Sequence, residues 1–422
     1  MDKIELLAPA GDFERLKVAI AFGADAVYLG GTSFGLRAKA KNFDMEQMRE
    51  AVEYAHFRGV KVFVTANVFA RNEDFAEMGE YFRQLAAMGV DALIISDPGV
   101  FATARRFVPD MEIHISTQAN NTNYNSALFW ANLGAARVVL ARELSIIEIC
   151  DIYQKVEGKI LLEAFVHGSM CIAYSGRCLL SAYFAHRDSN RGHCAHVCRY
   201  RFALGEERRT GEFFPIQEDE NGAFILNSKD LCMIEHIPEL VNSGLASLKI
   251  EGRMKTPHYV ATVVKAYREA IDDFYAEPAR YEAKKARYLA ELLKSSNREF
   301  STGFYFGNPG EGGQIYHGDG YVKTYDFLGI VRDFDAASGM ATLEQRSKFA
   351  QGDKVEFLRA GRANFSQEIK LLTDADGNIV NSAPHAQQIL KIKVDEPVSP
   401  FDILRGEVKT GNSRNRDGYC GD

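Results

Sequence analysis

The sequence predicts an α/β fold: a (β/α)8 TIM-like barrel with a cysteine-bearing insertion before its last strand, followed by a small C-terminal β-barrel. Three features predict it. A helix–glycine–strand junction recurs, eight apolar strand segments alternate with amphipathic helices, and the pattern changes to short alternating strands after Tyr321.

The junction reads Gly23-Ala-Asp-Ala-Val-Tyr-Leu, then Gly89-Val-Asp-Ala-Leu-Ile-Ile, Gly134-Ala-Ala-Arg-Val-Val-Leu and Gly244-Leu-Ala-Ser-Leu-Lys-Ile, with Gly59-Val-Lys-Val-Phe-Val a looser copy. A glycine closes each helix because it adopts the left-handed terminal turn without a Cβ clash. The apolar strand that follows has the composition of a buried parallel strand.

Eight such strands fall near 4–8, 26–30, 61–66, 92–96, 112–116, 137–141, 161–166 and 247–251. Amphipathic helical patterns such as Asp12 to Phe22, Asp44 to Phe57 and Asp74 to Met88 separate the early ones. A doubly wound sheet is the alternative arrangement of the same elements. The even spacing breaks only between strands seven and eight, where an insertion at about 167–246 carries most of the cysteines. Residues 257–294 read as two helices, so the barrel unit is expected over 1–310. Phe327-Leu-Gly-Ile-Val-Arg, Gly352-Asp-Lys-Val-Glu-Phe-Leu and Ile369-Lys-Leu-Leu-Thr, with a turn at Asp374-Ala-Asp-Gly377, predict the β-barrel over 322–406. A polar tail, 407–422, is expected to be flexible.

Composition narrows the function classes only a little. A net charge of −7 over 422 residues argues against a wholesale nucleic-acid coat, though a local basic surface is compatible with it. The opening Met1-Asp2-Lys3-Ile4-Glu5 lacks a signal-peptide core, and no apolar run has the length of a membrane span. The expectation is a cytoplasmic protein whose thiols stay reduced.

Cys171, Cys178, Cys194 and Cys198 crowd into one loop-rich segment, while only Cys150, Cys232 and Cys420 lie elsewhere. Four thiolates from one segment make a soft-metal site, holding zinc or an iron–sulfur cluster. Zinc sites favour paired Cys-x₂₋₄-Cys knuckles, and only Cys194 and Cys198 form one. The irregular spacing leans towards a cluster, while a mixed zinc site using His193 or His196 stays open. Cys232 is a reserve ligand, Cys150 reads as core, and Cys420 as incidental.

Active sites of such barrels lie where the strands end at their C-termini. Polar residues stand there: Asn67, Asp97, Ser116 with Gln118, Arg142 with Glu143, His167, and Glu251 with Arg253. His167 is the candidate catalytic acid or base. An anionic substrate or an RNA phosphate calls for Arg and Lys, supplied by Arg177, Arg187, Arg191 and Arg199 around the cysteines and by Lys249, Arg253 and Lys255 after strand eight. Tyr174, Tyr183 and Phe184 are candidates to stack an extruded base. The C-terminal β-rich segment carries Lys348, Lys354, Arg359 and Arg362 among acidic residues, a pattern open to RNA binding or dimerisation. The His-Glu-x-x-His of zinc proteases does not occur. A cysteine nucleophile needs no three companions, whereas a cluster needs all four.

The run His167-Gly-Ser-Met-Cys171-Ile-Ala-Tyr-Ser-Gly-Arg-Cys178-Leu-Leu-Ser resembles the signature of the U32 family, long labelled collagenase-like peptidases. Arg187-Asp-Ser-Asn-Arg-Gly-His-Cys194, Asn227-Ser-Lys-Asp-Leu, Leu248-Lys-Ile-Glu-Gly-Arg-Met-Lys255 and Leu6-Leu-Ala-Pro-Ala-Gly11 extend the resemblance over roughly residues 3–310. It implies a [4Fe–4S] cluster on Cys171, Cys178, Cys194 and Cys198. It also implies hydroxylation of the wobble uridine of tRNA to 5-hydroxyuridine, with prephenate as co-substrate and a second U32-family subunit as a possible partner. Within the matched motifs Asn190 and Lys229 join Tyr174, Arg177, Lys249 and Arg253 as substrate-binding candidates. The alternatives are a U32 peptidase and a zinc-stabilised RNA-binding scaffold.

Overall fold

Eight parallel strands close on themselves in the computed structural model, which describes residues 3–35, 42–171, 178, 180–187, 189, 193–199, 218–219, 222–223, 228–315 and 321–408. The strands are β1 (Glu5–Pro9), β2 (Ala26–Gly30), β3 (Lys61–Ala66), β4 (Ala92–Ile95), β5 (Glu112–Ile115), β6 (Arg137–Val139), β7 (Leu161–Ser169) and β8 (Ser247–Ile250). Each pairs in parallel with its successor, and β8 pairs with both β7 (Ser247 with Glu163) and β1 (Ser247 with Glu5), which closes the barrel.

Helices α1 (Phe13–Ala21), α2 (Met45–His56), α3 (Phe75–Ala87), α4 (Pro98–Phe107), α5 (Tyr124–Asn132) and α6 (Ile146–Val156) separate the strands, and α7 (Ile237–Asn242) leads into β8. Local chemistry sets their starts. The Asp12 carboxylate accepts from the Arg15 amide at 2.9 Å, and Asp44 with Gln47 and Ser145 with Glu148 form capping boxes. The ends follow the repeat seen in the sequence: Gly23, Gly59, Gly89, Gly134 and Gly244 all have φ between +72° and +103°. Long helix α8 (Pro257–Ala276) and α9 (Pro278–Leu292) follow β8.

The insertion is less plain than its sequence. A short strand, Asp230–Cys232, runs antiparallel to the end of β7, pairing Asp230 with Ser169 and Cys232 with His167. Opposite them, Gly168 has φ +112°, and a Cβ there would come within 2.6 Å of the Glu251 carbonyl oxygen. The close approach of β7 to the loop after β8 therefore requires a glycine.

The chain divides into two compact units, Met1–Leu292 with Asn297–Val322, and Leu293–Ser296 with the residues from Lys323 onward. The second unit is an antiparallel sheet of seven strands. In spatial order they are Phe365–Glu368, Lys354–Leu358, Ile403–Glu407, Tyr325–Asp335, Met340–Gln345, Ile389–Lys393 and Leu372–Asp374. The sheet curls over its own apolar core, which includes Val331, Leu343, Phe357, Ile369, Leu390 and Leu404. Arg359, one of its expected positive residues, is ion-paired with Glu396 at 2.7 Å. Glu407 ends the last strand rather than opening the tail, and residues 409–422, with Cys420, lie outside the described ones.

Candidate functional site

Alternate residues of buried parallel strands face the barrel interior, and several of them here are charged. Glu163 on β7 meets Lys249 on β8 at 2.8 Å and Arg137 on β6 at 2.9 Å, while Arg137 also reaches Glu5 on β1 at 2.6 Å. Burial alone would push the Glu163 carboxyl up, but the Lys249 and Arg137 charges overcome it and bring it down to about 2. The Lys249 ammonium also lies 4.6 Å from the Tyr28 ring centroid and 5.4 Å from that of Phe165. This network forms a rigid charged floor.

Above it, at the C-terminal ends of the strands, is a cavity of about 400 Å³ formed wholly by the first unit. Its wall includes Asn67, Ser116, Gln118, Arg142, Glu251 and Arg253, six of the polar residues expected after strands. Asp97 instead caps α4, accepting from the Gly99 and Val100 amides at 2.7 and 3.0 Å. Lys249 and Lys255 line the cavity too. Arg253 is buried, donating to Asn42 Oδ1 at 2.7 Å and Thr65 Oγ1 at 3.2 Å. Its guanidinium occupies the space a side chain at Gly30 would fill, since a Cβ there would meet Nη2 at 2.3 Å.

Cys171, Cys178, Cys194 and Cys198 all line the same cavity as free thiols. Their segment is held by side-chain hydrogen bonds. Ser181, buried on the short helix Leu180–Ala185, accepts from the Ala195 amide at 2.9 Å. Ser189 donates to the Cys178 carbonyl at 2.9 Å, and Arg187 to the Cys194 carbonyl at 3.4 Å. The His196 amide donates to Cys194 Sγ at 3.4 Å, the kind of contact that tunes a metal-bound thiolate.

The donor set fits a soft metal group. No three His, Cys, Asp or Glu side chains among the described residues gather closely enough to hold one metal ion. A single tetrahedral zinc needs four donors about 2.0–2.3 Å from one point. Four thiols and His196 on one cavity wall are the donor types of a zinc or iron–sulfur site.

The remaining predicted residues fall elsewhere. His167 is outside the cavity wall, fully buried against the rings of Tyr259, Tyr267 and Phe300 at 5.4–6.0 Å. Burial lowers its imidazole to about 3, so it is neutral in the folded chain. That environment fits a packed structural histidine rather than the expected catalytic acid or base. Lys229 also lies off the wall, paired with Glu299 at 3.0 Å. Cys232, the reserve ligand, is buried outside the wall, with burial raising its thiol to about 12. Cys150 is half-buried rather than core. Phe184 is exposed and does not reach the cavity. Tyr174, Arg177, Asn190 and Arg191 lie outside the described residues, as do the side chains of Tyr183 and Arg199.

Tyr28, Thr65, Ser181 and Tyr321 line the cavity without having been anticipated. Tyr28 and Thr65 had a readable signal, as polar-tipped residues inside otherwise apolar strands. Ser181 closes the signature run that begins at His167, whereas Tyr321 had no signal.

Fold and site together define a (β/α)8-barrel protein whose strand ends and a four-thiol loop enclose one cationic cavity. Residues 11–315 match the sequence pattern of peptidase family U32, and residues 323–405 that of the peptidase family U32 C-terminal domain. The chain belongs to this family. It is 43% identical over 403 residues to tRNA hydroxylation protein P1 of Bacillus subtilis (strain 168), covering 96% of this chain and 94% of that one. It is 34% identical to tRNA hydroxylation protein P of Escherichia coli (strain K12), over 91% of this chain and 92% of that one. The 23S rRNA 5-hydroxycytidine C2501 synthase of the same organism is 34% identical over 74% of this chain and 46% of its own length.

Proposed function

We propose that this protein is an RNA-hydroxylating enzyme acting on tRNA, replacing the C5 hydrogen of the wobble uridine with a hydroxyl group. The observation that carries the reading is the meeting of Cys171, Cys178, Cys194 and Cys198 with Arg142, Lys249, Arg253 and Lys255 around one cavity at the strand C-termini. The names of the full-length relatives support tRNA as the substrate.

In this reading the four cysteines would hold a [4Fe–4S] cluster, which would supply electron transfer beside the cavity. The chain's own residues bind and orient. Arg253, fixed by Asn42 and Thr65, and Arg142, which donates to the Ser169 carbonyl at 3.1 Å, present guanidinium groups to a carboxylate. Prephenate, a dicarboxylate, suits that set as the hydroxyl source. Glu163 holds Lys249 in place beneath it at 2.8 Å.

The peptidase alternative loses His167, which is buried, neutral and off the cavity wall, and keeps only His196 on that wall beside the cysteines. The test is nucleoside analysis of tRNA from cells lacking the protein. The expected result is loss of 5-hydroxyuridine, restored by the parent chain and not by Cys178→Ser. Unchanged 5-hydroxyuridine in the deletion strain contradicts the reading.

A further inference from the structure

A nucleotide on a folded RNA must be drawn out of its stack before its base can enter a cavity of this size, and the extruded base and its phosphate need partners at the entrance. The exposed residues of the cavity wall supply both. Tyr321 is 41% exposed and Met254 50%, whereas Tyr28, deeper in the same wall, is 4% exposed. Tyr321 is therefore a partly exposed aromatic residue of the cavity wall.

Its ring is held in place. Arg298 and Tyr321 face one another on a two-stranded ribbon, Asn297–Arg298 against Tyr321–Val322. The buried Arg298 donates to the Tyr321 hydroxyl at 3.4 Å, and its guanidinium carbon lies 5.0 Å from the ring centroid. On the cavity wall beside it, the Lys255 ammonium lies 5.2 Å from the Tyr321 centroid and 5.3 Å from that of Tyr259. Lys249 is neutralised by Glu163 at 2.8 Å, but Lys255 has no carboxylate at ion-pair distance among the described residues. A half-buried ammonium resting on aromatic rings at a cavity mouth is suited to a phosphate.

We propose that Tyr321 and Lys255 form the landing site for the substrate nucleotide: the Tyr321 ring stacks the extruded base, and Lys255 takes the adjacent phosphate. The assignment rests on the RNA-hydroxylation reading and adds to it the residues that receive the RNA. Stacking tolerates any base, so this site supplies affinity while the choice of uridine belongs to the deeper wall.

The test titrates the full-length, anaerobically purified protein into a fluorescein-labelled RNA hairpin with a uridine-bearing loop, read by anisotropy at several KCl concentrations. Tyr321→Leu is expected to weaken binding about tenfold or more at every salt concentration, while Tyr321→Phe stays within a few-fold of the parent. Lys255→Gln is expected to lower the slope of log K against log salt by about 0.7–0.9. Lys155→Gln, which removes an exposed charge on α6, is the control and keeps the slope. If the parent binds the hairpin and both Tyr321→Leu and Lys255→Gln match it in affinity and slope, the landing site is wrong and the function stands. If the parent fails to bind RNA, the functional reading fails and this assignment falls with it. Should Tyr321→Leu fold poorly, the Lys255→Gln slope decides alone.

Discussion

Lys249 Nζ lies 2.8 Å from one carboxylate oxygen of Glu163, and the other oxygen takes the Arg137 guanidinium at 2.9 Å. All three residues come from neighbouring strands, and none is more than 5% exposed. One buried anion therefore ties together three staves of the barrel and sets the floor of the cavity. Glu163→Gln would leave the buried Lys249 without its counter-charge, while Arg137 keeps Glu5 at 2.6 Å. The expected loss of stability is about 3–5 kcal/mol, read from urea unfolding. An unchanged midpoint would show that Lys249 finds another partner.

The same carboxylate makes stability depend on pH. Its folded value, about 2, is below the ordinary 4.5, so the unfolded chain binds a proton more readily. The stabilisation is complete above pH 4.5 and is lost as pH falls from 4.5 towards 2. Unfolding midpoints for the parent and Glu163→Gln should converge across that window.

His167 titrates with the opposite charge but the same direction. Its folded value, about 3, is below the ordinary 6.5, so protonation favours the unfolded chain as pH falls from 6.5 to 3. Replacing it with Phe should flatten that part of the stability profile. If His167 were instead the catalytic base, the variant would lose turnover at every pH while its stability profile kept the parent's shape.

Gly30→Ala tests the seat of Arg253. A Cβ would meet Arg253 Nη2 at 2.3 Å, so the guanidinium must leave its position beside Asn42 and Thr65. The expected outcome is at least a tenfold rise in KM for the carboxylate co-substrate with a smaller change in melting temperature. An unchanged KM would remove Arg253 from the binding set.

The barrel was legible because buried parallel strands and their glycine junctions leave a period that survives in one dimension. All eight strands begin within a residue of their expected starts. The cysteine loop was legible by composition, and the polar strand ends by position. Other parts depend on three-dimensional packing that sequence order does not carry. His167 follows the same strand-end pattern as Glu251, yet the antiparallel Asp230–Cys232 strand covers it and takes it out of the cavity. Lys229 sits inside a matched motif, but Glu299 neutralises it away from the cavity wall. Tyr321 reaches the cavity from beyond the last barrel helix, on a ribbon whose partner strand no periodicity announces.

The most direct measurement is iron, acid-labile sulfide and zinc per chain in protein purified without oxygen, for the parent and for each Cys→Ser variant. About four irons and four sulfides per chain are predicted, lost on changing Cys171, Cys178, Cys194 or Cys198 and kept in Cys232→Ser. One zinc per chain, or iron that survives loss of any of the four cavity cysteines, would contradict the account.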